Sequence, residues 1–186
     1  MRIVGGALRG RPLQAPSGRE IRPTSDRLRE SLFNILQHRY DFDFEGAFIV
    51  DIFAGTGALG LEALSRGAAF ALFVDSGADA RALLRHNIEA LGQGGKSRIF
   101  RRDATQPGTA PPGQTFDLAL LDPPYGAGLA DPCLAGLADG GWLKPGALVV
   151  VEETADAVID APPSLELQET RPFGATALHF FRFSVK

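Results

Sequence analysis

The residues Asp122-Pro123-Pro124-Tyr125 place a carboxylate, two prolines and an aromatic ring directly after an apolar run. Pro123 keeps Asp122 out of helical geometry, and neither proline has an N–H group to donate. The Asp122 carboxylate and the Pro123 carbonyl then form two rigid acceptors, which match the two donors of an exocyclic amino group. The Tyr125 ring offers a flat face on which a nucleobase can stack, a contact worth about 1–3 kcal/mol.

An amino group on an aromatic ring is a poor nucleophile because its lone pair is delocalised into the ring. Acceptors on both of its hydrogens favour a pyramidal nitrogen and stabilise the charge that develops in the transition state. We therefore expect methylation of a base amino group, with Asp122, Pro123, Pro124 and Tyr125 as the catalytic residues.

A second motif, Asp51-Ile-Phe-Ala-Gly-Thr-Gly-Ala-Leu-Gly60, fits the pattern G-x-G-x-x-G between a predicted strand and a predicted helix. Glycines allow the backbone to approach a ligand, and the helix N-terminus offers N–H groups. Asp75 follows Gly55 by 20 residues, the distance expected of a carboxylate that binds ribose hydroxyls. On its own this motif suits NAD equally well, and the glycines could merely close a tight turn.

Two acids favour S-adenosylmethionine over NAD as the cofactor. Asp51 stands four residues before Gly55, where it would repel a pyrophosphate but attract an ammonium or sulfonium group. Asp103 could accept a hydrogen bond from an adenine amino group, although a capping role at the end of a strand is equally consistent with its position.

The elements that must position these motifs alternate between strand and helix, which predicts an α/β fold with a mostly parallel sheet and helices on both faces. A turn at Pro172–Gly174 separates two further strands and predicts an antiparallel edge. Residues 141–146 are predicted to form a turn, and residues 105–115 a Pro/Gly-rich surface loop with the features of a mobile segment. The predicted strands are 47–52, 69–75, 97–103, 117–122 and 147–153, and the predicted helices are 57–67, 78–92 and 128–139.

The N-terminal part is basic: residues 1–40 contain eight arginines against three acids, a net charge of +5, whereas the 186-residue chain carries −3. This asymmetry predicts that one end docks on a polyanion, unless arginine serves only for solubility. We expect a short hairpin and arm over residues 1–20, a helix over 25–38 capped by Thr24 or Ser25, and a single domain over 21–186. The candidate RNA-binding residues are Arg2, Arg9, Arg11, Arg19 and Arg22.

The single cysteine excludes an intramolecular disulfide and a cysteine-based metal cluster, and no histidine spacing predicts a metal site. The charged start does not resemble a signal peptide, and no apolar run reaches the length of about 18 residues that a membrane helix needs. We expect a cytoplasmic protein with no membrane partner.

Taken together, the motifs at 51–57, Asp75, Asp103-Ala104 and 122–125 resemble Rossmann-like class I S-adenosylmethionine-dependent methyltransferases that act on amino nitrogens. The segments Arg2-Ile-Val-Gly-Gly, 22–36 and 54–68, and the turn Phe173-Gly-Ala-Thr, resemble the bacterial 16S ribosomal RNA guanine-N2 methyltransferase family (the guanine 966 type).

The resemblance implies a seven-stranded sheet with its last strand antiparallel, and methylation of one guanine N2 in 16S rRNA or in a small-subunit assembly intermediate, by an enzyme we expect to be a monomer. It places Thr24 near the methionine end of the cofactor. The residues expected to bind the cofactor are Thr24, Asp51, Phe53, Ala54, Gly55, Thr56, Gly57, Asp75, Asp103 and Ala104.

Three alternatives remain open at this point. The tetrapeptide at 122–125 reads an amino group rather than one base, so an adenine-N6 or cytosine-N4 methyltransferase on DNA or RNA is possible, although no separate target-recognition domain is evident. A non-catalytic assembly factor would not need Asp122, and a nicotinamide enzyme would not explain Asp51 and the two prolines.

Overall fold

Within residues 1–17 and 25–185, the part that the computed structural model describes, the chain forms four α-helices and seven β-strands. In chain order they are α1 (Asp26–His38), β1 (Phe48–Ile52), α2 (Ala58–Ser65), β2 (Phe70–Val74), α3 (Ala78–Ala90), β3 (Ser97–Phe100), β4 (Phe116–Leu121), α4 (Ala130–Asp139), β5 (Leu143–Thr154), β6 (Leu165–Phe173) and β7 (Thr176–Phe183). None of the helices in these residues is long and apolar enough to span a bilayer.

The strands form one sheet in the order β3-β2-β1-β4-β5-β7-β6. The first five strands are parallel, and β7 runs antiparallel to both β5 and β6. This confirms the predicted fold, and the C-terminal hairpin forms the predicted antiparallel edge. The order reverses between β1 and β4, and ligands of open α/β sheets bind at such a switch point.

Apolar side chains cover both faces of the sheet and separate into two core layers. One layer joins the sheet to α1, α2 and α3, with Leu36, Leu61 and Leu84 fully buried. The other joins it to α4 and includes Leu134 and Trp142. The central strands are therefore buried on both sides, which explains their nearly continuous apolar sequence.

The segment predicted as a turn at 141–146 is instead mostly part of β5, which begins at Leu143. Phe116 pairs with Leu143 and Leu118 with Leu148, so the extra residues form a bulge opposite β4. Pro145 has no N–H to donate, and Gly146 adopts φ +80, but these two residues bend the strand without ending it.

One further prediction is wrong in detail. The strand predicted over 97–103 ends at Phe100. The loop predicted at 105–115 is present and is attached at two points: the Trp142 indole N–H donates to the Gly108 carbonyl at 2.8 Å, and the Ala110 N–H donates to the Gly140 carbonyl at 2.9 Å. Its mobility stays a prediction.

The N-terminal residues form a short hairpin, as predicted, with an antiparallel bridge between Arg2 and Pro12. Buried Glu62 on α2 accepts hydrogen bonds from the backbone N–H groups of Val4 at 3.0 Å and Gly5 at 2.8 Å, which fixes the hairpin to the domain. Ser25 caps α1 by accepting from the Leu28 N–H at 3.1 Å. The alternative cap Thr24 and the boundary predicted at residue 20 lie outside the described residues.

Candidate active site

A cavity of about 760 Å³ opens at the carboxyl edge of the sheet, between the loops that follow β1, β2, β3 and β4. Parallel strands bring these loops together although they are far apart in the sequence. The wall includes twelve of the predicted site residues: Asp51, Phe53, Ala54, Gly55, Thr56, Asp75, Asp103, Ala104, Asp122, Pro123, Pro124 and Tyr125. The cofactor motif and the tetrapeptide predicted to hold a base therefore face the same space.

The glycine loop after β1 folds back sharply at the cavity wall. Phe53, Gly55 and Gly57 all have positive φ, at 59°, 54° and 80°. Gly57 lies behind the loop rather than on the cavity wall, and a Cβ atom there would come within 2.3 Å of Leu84 Cδ1. Gly57 therefore shapes the loop by allowing α2 and α3 to approach each other.

Gly60, the third glycine of the motif, has a comparable role one turn into α2. A Cβ atom on Gly60 would lie 2.4 Å from Phe73 Cε1 on β2. Glycine at this position lets the helix pack closely against the sheet, and the Gly60 N–H donates to Asp51 Oδ2 at the cavity wall.

Asp75 connects the loops that follow β1 and β2. Its Oδ2 atom accepts from the Gly55 N–H at 2.9 Å, and its Oδ1 atom accepts from the Gly77 N–H at 2.8 Å. A carboxylate has about four acceptor positions, so these two bonds leave capacity for hydroxyl donors in the cavity.

Asp51 is 1% exposed at the end of β1, and its Oδ2 atom accepts from the Gly60 N–H at 2.9 Å. Burial raises the pKa of Asp51 well above its usual value, and the nearby Asp122 and Asp75 charges raise it further. Three acidic side chains thus converge on one cavity, where a cationic ligand would relieve their repulsion.

Asp103 is held in a turn after β3, where its Oδ1 atom accepts from both the N–H of Thr105 at 2.9 Å and its hydroxyl at 2.7 Å. These hydrogen bonds lower the pKa of Asp103, although slight desolvation acts against them. The structural role that the sequence left open is thus present, and Asp103 still lines the cavity next to buried Ala104.

The loop after β4 carries half-buried Asp122, buried Pro123, exposed Pro124 and half-buried Tyr125. The Asp122 N–H donates to the Ile52 carbonyl at 3.4 Å, so this loop begins beside the end of β1. The Tyr125 hydroxyl donates to Glu152 Oε1 on β5. Glu152 was not identified from the sequence, because its partner lies 27 residues away.

Sequence reasoning missed several residues of the wall. Ser76, Gly77 and Thr105 directly follow predicted acids and could have been found by extending each motif by one or two residues. Nothing in the sequence indicated Met1, whose Sδ atom accepts from the Thr56 hydroxyl at 3.7 Å. The remaining residues missed are Ala58, Leu59 and Leu129.

The candidate RNA-binding arginines lie away from the cavity wall wherever the structure describes them. Exposed Arg2 pairs with Asp26, its Nε atom 3.5 Å from Asp26 Oδ2, and exposed Arg11 donates from Nη2 to the Ala90 carbonyl at 2.8 Å. Arg9 is exposed at the tip of the hairpin. Arg19, Arg22 and the cofactor candidate Thr24 lie outside the described residues.

Comparison with known proteins places the chain in a family. The family model described as conserved hypothetical protein 95 matches residues 1–182. The ribosomal RNA small subunit methyltransferase D of Escherichia coli K12 is 36% identical over 183 residues, which cover 98% of this chain and 89% of that protein. The chain belongs to the family of the ribosomal RNA small subunit methyltransferase D proteins.

Solved structures agree with this membership. The yhhF protein of Escherichia coli, whose name gives methyltransferase as a proposed activity, superposes with a TM-score of 0.85 at 32% identity, covering 100% of this chain and 99% of that one. An RNA methyltransferase from Salinibacter ruber, in complex with S-adenosyl-L-homocysteine, has a TM-score of 0.67 at 14% identity, covering 89% and 95%, and shares the fold. The family and the methyltransferase class expected from the sequence are confirmed.

Proposed function

We propose that this protein transfers the methyl group of S-adenosylmethionine to the N2 amino group of a guanine in 16S ribosomal RNA. The observation that carries the proposal is the meeting of two motifs on one cavity: the glycine loop with Asp75 on one side, and Asp122 to Tyr125 on the other. One side suits a cationic nucleoside cofactor, and the other suits a base amino group.

The residues around the cavity fit S-adenosylmethionine by charge and by shape. Asp75 and Asp122 give the cavity a negative potential that favours a sulfonium group, and such a cation would also favour the charged form of Asp51, whose pKa is raised by burial. Asp75 would accept from the ribose hydroxyls, and the Asp103–Ala104 turn would contact the adenine. The glycine loop from Phe53 to Thr56, supported by Gly57, would follow the methionine part, with Thr24 as a further candidate.

When bound, the cofactor supplies a methyl carbon attached to a positively charged sulfur. The Asp122 carboxylate and the Pro123 carbonyl accept the two amino hydrogens, so that the guanine nitrogen directs its lone pair at that carbon. Transfer would leave S-adenosyl-L-homocysteine and one surplus proton on the nitrogen, which would pass through the Asp122 carboxylate to solvent. Tyr125 supports the base by stacking, and Pro124 stiffens the loop between them.

The basic hairpin is proposed to bind RNA phosphates, while the target guanine must be unstacked for N2 to reach the cavity. Arg2, Arg9 and Arg11 carry this role in the described residues, and Arg19 and Arg22 are further candidates. The proposed partner is 16S rRNA or a small-subunit assembly intermediate, bound by a monomer.

The decisive experiment is transfer of a tritiated methyl group to RNA from a strain that lacks the enzyme. The proposal expects labelling of small-subunit RNA or particles far above DNA, at one guanine that releases N2-methylguanine on digestion. N6-methyladenine or N4-methylcytosine in the digest would establish the alternative amino specificity, and an unlabelled RNA would overturn the proposal.

A further inference from the structure

Two consecutive glutamates at the end of β5 hold the loop that carries the proposed base-binding residues. The Tyr125 hydroxyl donates to Glu152 Oε1, and the next residue, Gly126, donates its N–H to Glu153 Oε1 at 3.0 Å. Because successive side chains of a strand point to opposite faces, the two carboxylates reach the loop from opposite sides of the sheet. The loop is clamped across the end of β5.

Both glutamates are buried, with Glu152 4% and Glu153 3% exposed, and they follow buried Val150 and Val151 on the same strand. Burying a carboxylate costs several kcal/mol unless hydrogen bonds compensate for the lost water. Two apolar residues at positions 152 and 153 would continue the strand without the cost of burying a carboxylate. The energetic cost at this position therefore points to a role in holding the loop.

The two glutamates hold different parts of the loop. Glu153 Oε1 binds backbone, accepting from the Gly126 N–H and from its own neighbour, the Thr154 N–H, at 2.9 Å. Glu152 binds the Tyr125 side chain at its far end. With the ring fixed at Cβ by the backbone and at the hydroxyl by Glu152, the side chain is restrained from swinging about χ1.

We propose that Glu152 is a positioning residue that fixes the Tyr125 ring as a preformed platform for the target base. This inference rests on the proposed function, since it assigns the platform to the base whose amino group meets Asp122. A platform that is ordered before the base arrives reduces the entropy lost on binding, and keeps the amino group aligned with the methyl donor.

The kinetic test compares Glu152→Gln, Tyr125→Phe and the double variant, with Glu166→Gln as the matched control on exposed β6. We expect each single variant to lower kcat for RNA methylation about tenfold to a hundredfold, while the Kd for S-adenosyl-L-homocysteine changes by less than about threefold. The double variant should be no less active than the less active of the two single variants, because both changes act on the same contact: the amide replaces a charge-assisted hydrogen bond with a weaker neutral one, and phenylalanine removes it. Wild-type kcat in Glu152→Gln, or losses that multiply in the double variant, would overturn the assignment.

A second readout does not depend on activity, because the chain contains only two tyrosines, Tyr40 and Tyr125. Ring-13C-tyrosine NMR spectra, assigned with Tyr40→Phe, should show the Tyr125 signal shifted and broadened in Glu152→Gln but not in Glu166→Gln. An unchanged Tyr125 signal would disprove the clamp even where activity falls. If the wild-type protein methylates no RNA while this signal shifts, the proposed function fails and the clamp stands.

Discussion

Both edges of the sheet carry a cavity lined with carboxylates, but the partners of those carboxylates differ. A cavity of about 400 Å³ lies at the amino ends of β1, β4 and β5, where Asp117 accepts from the Lys144 ammonium at 2.9 Å. At the carboxyl edge, Asp51 and Asp75 accept instead from the backbone N–H groups of glycines. A lysine cancels the charge of its partner, whereas a peptide group carries no net charge.

The difference favours the carboxyl edge as the proposed site of a cation. Backbone donors hold Asp51 and Asp75 in place but leave the negative potential of the cavity intact. At the amino edge, Lys144 and Arg182 line the same cavity as the acids, and Arg182 donates to the Gly146 carbonyl at 2.9 Å. Similar acidic composition thus leaves one edge with a cavity wall that, among the described residues, holds acids but no lysine or arginine, and gives the other a salt-bridged surface.

The largest effect should come from Asp122→Ala at the carboxyl edge. Loss of the acceptor for the amino group should lower methyl transfer by about 10³-fold. Cofactor affinity, measured by calorimetry, should change by less than about threefold, because the residues proposed to bind the cofactor lie mainly in the other three loops. Asp117→Ala at the amino edge is the control, and its methyl transfer should match the wild type. Equal losses of methyl transfer in both variants would contradict the proposed difference between the two edges.

The next largest expected effect is a loss of folding stability. It compares two glycines that have the same backbone conformation at opposite edges of the sheet. Gly57 and Gly46 have φ of 80° and 73°, but a Cβ atom at Gly57 meets Leu84 Cδ1 at 2.3 Å, whereas one at Gly46 meets no atom within 4 Å. Gly57→Ala should therefore lower the free energy of unfolding by about 2–4 kcal/mol, and Gly46→Ala by about 1 kcal/mol. Urea denaturation of the two variants measures the difference, and similar midpoints would contradict it.

A smaller change in folding stability is expected for Asp51→Asn, and this change should depend on pH. Burial raises the pKa of Asp51, so the folded protein holds this proton to a higher pH than the unfolded chain does. Stability therefore falls as the pH rises above the usual aspartate pKa of about 4, until it passes the folded-state value. The amide variant should be about 1–2 kcal/mol more stable than the wild type at pH 8, yet bind the cofactor more weakly.

Thermal unfolding between pH 4 and pH 8 measures this effect. Asp117→Asn serves as the control at the amino edge, where loss of a half-exposed ion pair should cost at most about 1 kcal/mol. If Asp51→Asn instead destabilises the protein at pH 8, the buried charge is compensated by contacts other than the Gly60 N–H.

The smallest expected effect is a loss of RNA affinity when arginines of the hairpin are replaced. Replacing Arg9 and Arg11 with glutamine should weaken RNA binding, and should reduce the slope of log affinity against log salt by about one unit per lost phosphate contact. Fluorescence anisotropy at several salt concentrations measures the slope. Lys144→Gln is the control, and an equal change in its slope would mean that the RNA does not prefer the hairpin.

The fold and most of the cavity could be predicted because the signals are local. Apolar runs such as 118–121 are strands buried on both sides, and the motif residues stand where each run ends. Topology then brings them together without any knowledge of side-chain contacts. The bulge in β5 escaped prediction because Pro145 and Gly146 have the same local signature in a bulge as in a turn.

The contacts that support the site could not be predicted, because they join residues far apart in the chain. Glu152 and Glu153 look like ordinary polar residues at a strand end, and only the register of β5 against the β4 loop gives them Tyr125 and Gly126 as partners. The same is true of Glu62, which holds the hairpin from 57 residues away. Acids with buried tertiary partners have no sequence signature of their own.

The position of Cys133 has a practical consequence for labelling. This thiol is fully buried, and burial raises its pKa to about 12, so thiol reagents at neutral pH should leave it unmodified. A cysteine introduced at Val158, which is 93% exposed in the segment after β5, would then be the one reactive thiol of the chain. A fluorophore could therefore be attached at that single site without removal of the native cysteine.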